Sequence, residues 1–198
     1  MREVDPGEED PRVAAPHPRD PGNAVVTRAS VLDAARELIL LGQPLSVGRL
    51  ATASGSSRRA VRAHFASTDV LLEVITVAAM QDLLVQHRGA RGASATHAWS
   101  GMIATIWADA AFLRALLVLG SAAGAPILRE LLQPVLWTKV EIVQRGQREG
   151  AFRTDVAAPE LGERLHALVL VMLRDPAVTA AAAQGRTFAM LVDPRAAE

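Results

Sequence analysis

Cysteine is absent from the chain, which excludes disulfides and thiolate metal sites, and the scattered histidines offer no short histidine-pair ligand set. Tyrosine is absent as well, and the other aromatics are few. With alanine and leucine dominant, strand formers are scarce and helix formers abundant, so an all-α fold is expected. An excess of one charge is also missing: 21 Lys and Arg balance 21 Asp and Glu, so any nucleic-acid contact has to come from local charge. Of the 21 basic residues only Lys139 is a lysine, a skew that, beside the many alanines, reads as GC-rich coding bias rather than a functional choice. The most apolar runs, residues 113–119 and 168–173, fall far short of the roughly 20 residues that cross a bilayer, so no membrane partner is expected. Residues 1–22 carry five prolines and six acids against three arginines, the reverse of a signal peptide. They are expected to form a disordered tail on a cytoplasmic protein. Paired carboxylates, metal-ligand clusters and a nucleophile elbow are all missing at useful spacing, so neither enzyme activity nor a cofactor nor a metal is expected.

What is present is enough apolar material, 50% of the chain, to bury a real core, arranged with helical periodicity. In residues 30–41 apolar side chains fall at Val31, Leu32, Ala35, Leu38 and Ile39, one buried helical face, closed by Gly42. Ser46 is placed to cap a short second helix over 47–53. Ser54 and Gly55 interrupt it, and a third short helix follows over 57–65. Ser67 caps a fourth that repeats Leu71, Val74, Ile75 and Ala78 and ends before Gly89. Glycine and proline then divide the remainder into helices near 96–108, 111–120, 126–149, 159–174 and 179–192, about nine in all.

The informative segment is 46–65. Two short helices flank a serine-glycine turn, which is helix-turn-helix organisation, and the second carries Arg58, Arg59 and Arg62 with no acid. On a wheel centred on Val61, the residues Phe65 and His64 lie on the core side. Ser56, Arg59, Ala60 and Ala63 point away, with Arg58 and Arg62 flanking them. A small, cationic face of this kind can sit deep in a major groove, its arginines reaching guanine edges or phosphates and its leading serines donating to phosphate. Local charge agrees: residues 23–72 hold six arginines against Asp33, Glu37 and Asp69. Arg28, just before the first helix, adds a cation at the junction of tail and fold, where an N-terminal arm can reach the backbone or a minor groove.

The run Thr27-Arg28, Val31-Leu32-Asp33-Ala34-Ala35, Gly42, Ser46-Val47, Leu50-Ala51, Gly55, Ser57, His64-Phe65-Ala66-Ser67, Asp69 and Leu71-Leu72 resembles the N-terminal signature of TetR-type regulators in order and spacing. The segment Glu149-Gly150-Ala151-Phe152-Arg153 with Asp155, ahead of a leucine-rich helix, is similar to a weaker pattern of the same family. The resemblance implies that the tail over 1–22 is followed by a helix-turn-helix domain over 23–68 and a helical effector-binding and dimerisation domain over 69–194. It further implies double-stranded operator DNA as partner, contacted by Thr27, Arg28, Ser46, Ser56, Ser57, Arg58, Arg59, Ala60, Arg62, Ala63, His64 and Thr68. The chain departs from the pattern twice: Arg62 stands where a tyrosine is usual and Thr68 where a lysine is usual, both implied phosphate contacts. Arg62 substitutes by charge, whereas Thr68 brings none. An alternative is therefore a TetR-shaped ligand-binding or interaction dimer without operator recognition.

The resemblance also implies a homodimer through the last two helices and a small-molecule effector. Leu161, Leu165, Leu168 and Met172 form one stripe, while Val169, Leu170, Val171 and Leu173 make the same helix apolar all round, which calls for burial on two sides. The small run at 180–183 permits close packing with a partner helix. The candidate effector lining is Trp99, Met102, Ile103, Ile106, Trp107, Phe112, Leu116, Leu136, Trp137 and Met172, with Asp109, Arg114 and His166 as polar handles. A largely apolar or aromatic ligand is expected.

Overall fold

The computed structural model describes residues 27–88, 92–122 and 126–192; the expected tail over 1–22 lies outside them. Every described element is helical: α1 (Arg28–Leu40), α2 (Val47–Ala53), α3 (Arg58–His64), α4 (Thr68–Arg88), α5 (Ala95–Ala108), α6 (Ala110–Ala122), α7 (Pro126–Arg148), α8 (Ala158–Arg174) and α9 (Ala180–Leu191). The expected boundaries hold to within two residues. Gly42 and Gly150, both at positive φ, stand just past α1 and α7. α7 runs on through Pro134, whose missing N–H leaves one carbonyl of the preceding turn without its helical donor.

The helices enclose two apolar cores. The first joins Val31, Ala35, Leu38 and Ile39 of α1 to Leu50 and Ala51 of α2, Val61 of α3, Phe65, and Leu71 and Ile75 of α4. The second, larger core is centred on Trp99, Met102 and Ile103 of α5, Val143 of α7, Leu161 and Leu165 of α8, and Leu191 of α9. Two elements belong to both. α4 gives its first half to the head core and, through Met80 and Leu83, its second half to the body core. α6 is divided lengthwise: Phe112 and Leu116 face the head, and Leu113 and Leu117 face the body. Residues four apart share a helix face and immediate neighbours do not, so one short helix tiles both cores. Among the described residues no single helix is long and apolar enough to cross a membrane.

Candidate nucleic-acid interface and buried cavity

α3 is only seven residues long, too short to persist alone, and three features fix it. Val61 and Phe65 are buried in the head core. Ser57 Oγ accepts the Ala60 N–H at 3.1 Å, capping the N-terminus. The turn that aims α3 contains Gly55 at φ +63, a left-handed conformation that costs glycine nothing. Ser54 Oγ in that turn donates to the Leu50 carbonyl at 2.6 Å and lies 2.7 Å from Ser56 Oγ.

The face left outward carries Ser57, Arg58, Arg59, Arg62 and Ala63, all exposed, with Ala60 half-buried among them. The Arg58 guanidinium lies across Gly48 of α2, 3.4 Å from where a side chain there would begin. Among the described residues no carboxylate pairs with Arg58, Arg59 or Arg62. The other sequence candidates divide. Thr27 and Ser46 are exposed N-caps, accepting from Ser30 N at 3.1 Å and Arg49 N at 3.3 Å; a capping hydroxyl keeps its own proton free to donate. Arg28 is exposed with its guanidinium 5.3 Å from the Phe65 ring centre. Ser56, His64 and Thr68 are half-buried. Sequence reasoning passed over Arg49, which is exposed near the start of α2 and donates to Gln43 Oε1 at 2.8 Å.

The ten proposed effector residues are not brought to one place. Trp99, Met102, Ile103 and Met172 are buried in the body core, where Trp99 Nε1 donates to Thr187 Oγ1 at 3.0 Å and ties α5 to α9. Trp107 is half-buried and donates to the Val178 carbonyl at 2.8 Å. Leu116 belongs to the head core. Leu136 is half-buried, and Trp137 is 60% exposed and faces outward from α7. Phe112, also in the head core, borders an open cleft of about 460 Å³ between head and body, beside Asp33, Arg36, Asp82 and Asp109. There the Arg36 guanidinium pairs with Asp109 and lies 3.9 Å over the Phe112 ring, joining α1 to the α5–α6 corner.

Ile106 alone of the ten lines a second cavity, of about 40 Å³, whose wall is apolar except for Lys139 and His166. Lys139 is 1% exposed, and its Nζ lies 3.0 Å from His166 Nδ1. Burial pushes the Lys139 ammonium down from the ordinary 10.5 to about 7. His166 is pushed from 6.5 to about 4, by its own burial and then by the Lys139 charge. Sequence reasoning singled out His166 but not Lys139. A signal existed: Val135, Lys139, Ile142 and Val143 follow the i, i+4, i+7, i+8 spacing of a core-facing stripe, with a charge at its second position. Arg114, the third handle, donates to the Leu173 carbonyl at 2.8 Å and does not line this cavity.

No family model and no curated protein matches the sequence. Solved structures do match. The chain aligns over 84% of its length, and 98% of the other chain, with the fatty acid degradation regulator FadR of Bacillus subtilis in complex with stearoyl-CoA, at 15% identity and a TM-score of 0.72. It aligns over 81%, and 96% of the other, with the TetR family regulator PfmR of Thermus thermophilus, at 22% identity and a TM-score of 0.66. The ketosteroid regulator KstR2 of Mycobacterium tuberculosis aligns over 87%, and 98% of its own chain, at 16% identity and a TM-score of 0.63. The fold is that of the TetR-family transcriptional regulators. In the TetR frame α1–α3 form the helix-turn-helix head, and the body around α5–α9 holds the Lys139 cavity.

Proposed function

We propose that this protein is a cytoplasmic transcriptional regulator that binds double-stranded operator DNA as a homodimer and is released, as a repressor, by a largely apolar effector taken up in the body. The observation that carries the reading is the exposed face of α3, where Arg58, Arg59 and Arg62 have no carboxylate partner among the described residues, on a firmly held, small-residue helix. Solvated cations on a helix that the fold presents outward fit the major groove and its phosphate rims. The domains follow the same division, a DNA-binding head over 23–68 and an effector and dimerisation body over 69–194.

A second copy supplies the paired heads that two half-sites need, and the surface of α8 and α9 suits that contact. Ala167 and Val171 of α8 and Ala181, Ala182, Gly185 and Ala189 of α9 are exposed, a smooth face that lets helices approach closely. The route from effector to DNA runs through α4 and α6. A ligand that parts Leu113 and Leu117 from the body core displaces Phe112 and Leu116 on the same helix, and with them α1 through Arg36.

The test is a binding titration against the chain's own upstream intergenic DNA and a scrambled duplex at rising salt. Selective binding that Arg59→Ala weakens about ten-fold or more is expected, because a base-edge or phosphate pairing of this kind contributes about 1–3 kcal/mol. Equal binding to both duplexes at every salt concentration overturns the operator reading. It leaves the alternative of a TetR-shaped dimer without an operator, which the uncharged Thr68 at the head of α4 favours.

A further inference from the structure

Twenty of the 21 basic residues are arginine, and the one lysine is, among the described residues, the one buried cation. An ammonium carries three N–H donors, yet among the described residues Lys139 has a single hydrogen-bond partner, His166 Nδ1. Among the described residues no carboxylate lines the cavity. Among the described residues, Asp82 of α4 and Asp109 after α5 border the other cleft, Arg114 of α6 is bonded to the Leu173 carbonyl, and Glu141 and Glu163 on α7 and α8 are exposed. A buried cation without a counterion destabilises the fold, and an apolar side chain of similar volume at this position would serve packing better. The arrangement is therefore poor as a structural ion pair and complete as half of one.

We infer that Lys139 and His166 seat the head group of an apolar monoanion, a carboxylate borne on a hydrocarbon tail, in the cavity enclosed by α4–α8. The inference rests on the effector reading above and names its ligand class. The carboxylate accepts from the two Lys139 N–H groups that His166 leaves unused, and its tail lies along the apolar wall made by Leu113, Leu117, Leu132, Val169 and Leu170. Leu132 of α7 and Leu170 of α8 are half-buried. The resting volume, about 40 Å³, is room for little more than the head group; a longer tail must part the helices, as the release route through α6 requires. Lysine suits this seat where arginine does not. Burial brings its pKa down to about 7, so it sheds its proton readily in the empty cavity and keeps it beside an anion, whereas a guanidinium would stay charged throughout.

The test measures binding of straight-chain carboxylates from butyrate to decanoate, and of the matching alcohols and amines, to the full chain by calorimetry. At least one carboxylate is expected to bind about ten-fold or more tightly than its alcohol, as a charge-assisted hydrogen bond supplies. Its affinity should fall as the pH rises above 7 while the alcohol's stays level. Lys139→Met abolishes the preference and keeps alcohol binding. An alcohol or amine that binds as well as the carboxylate, a preference that survives Lys139→Met, a flat pH profile, or no binding at millimolar concentration overturns the inference. The wild-type comparison and its pH profile decide the matter even if the variant does not fold. DNA is absent from these measurements, so their failure and a failure of operator binding are separate results.

Discussion

Gly162 of α8 meets Val140 of α7 so closely that a Cβ there would lie 2.6 Å from Val140 Cγ2 and 3.2 Å from its Cα. The nearer contact could be relieved by a side-chain shift, but the second is backbone, so α7 itself must yield. Gly162→Ala is expected to cost about 1–3 kcal/mol, as overpacking does. It should also alter carboxylate binding, because Val140 is next to Lys139; a thermal melt unchanged from wild type would show that the two helices have room. In the sequence, a glycine inside a helix reads as a small propensity loss. Its reason lies in the neighbour, which no local pattern names. Lys139 teaches the same lesson: its stripe position and His166 were each legible, but their meeting across 27 residues was not.

At the scale of elements, the short helices depend on their caps. Ser57→Ala removes the acceptor for the Ala60 N–H and is expected to destabilise the head by about 1 kcal/mol. DNA binding should weaken with it, because α3 frays where its arginines are presented. Urea denaturation beside the operator titration checks this, and a loss of binding without a loss of stability would assign Ser57 to phosphate contact instead. Serine spacing and Gly55 made α2 and α3 readable in sequence. α6 was harder. Its apolar residues announce a helix, but nothing local says that Phe112 and Leu116 turn to the head while Leu113 and Leu117 turn to the body.

For the whole molecule the buried pair sets a dependence of stability on pH. The folded state holds Lys139 at about 7 against 10.5 when unfolded, so below about pH 7 the penalty for its buried charge is complete. The penalty fades as the pH rises towards 10.5, where the unfolded chain no longer binds the extra proton. His166 adds a second penalty, complete below about pH 4 and gone above 6.5. Lys139→Met is therefore expected to be more stable than wild type at pH 7, by on the order of several kcal/mol, with the difference shrinking by pH 10. Parallel stability curves for the two proteins would mean that Lys139 is not neutralised by burial. The sequence by itself determined the all-helical class, the number and limits of the described helices, and the cationic face of α3, because periodicity, caps and turn residues act over a few positions. Tertiary structure alone decided which core each face of α6 joins, why Gly162 carries no side chain, and that the one lysine meets a histidine in an apolar cavity. Those are contacts between residues far apart in the chain, and packing and desolvation exist only once the chain has closed around them.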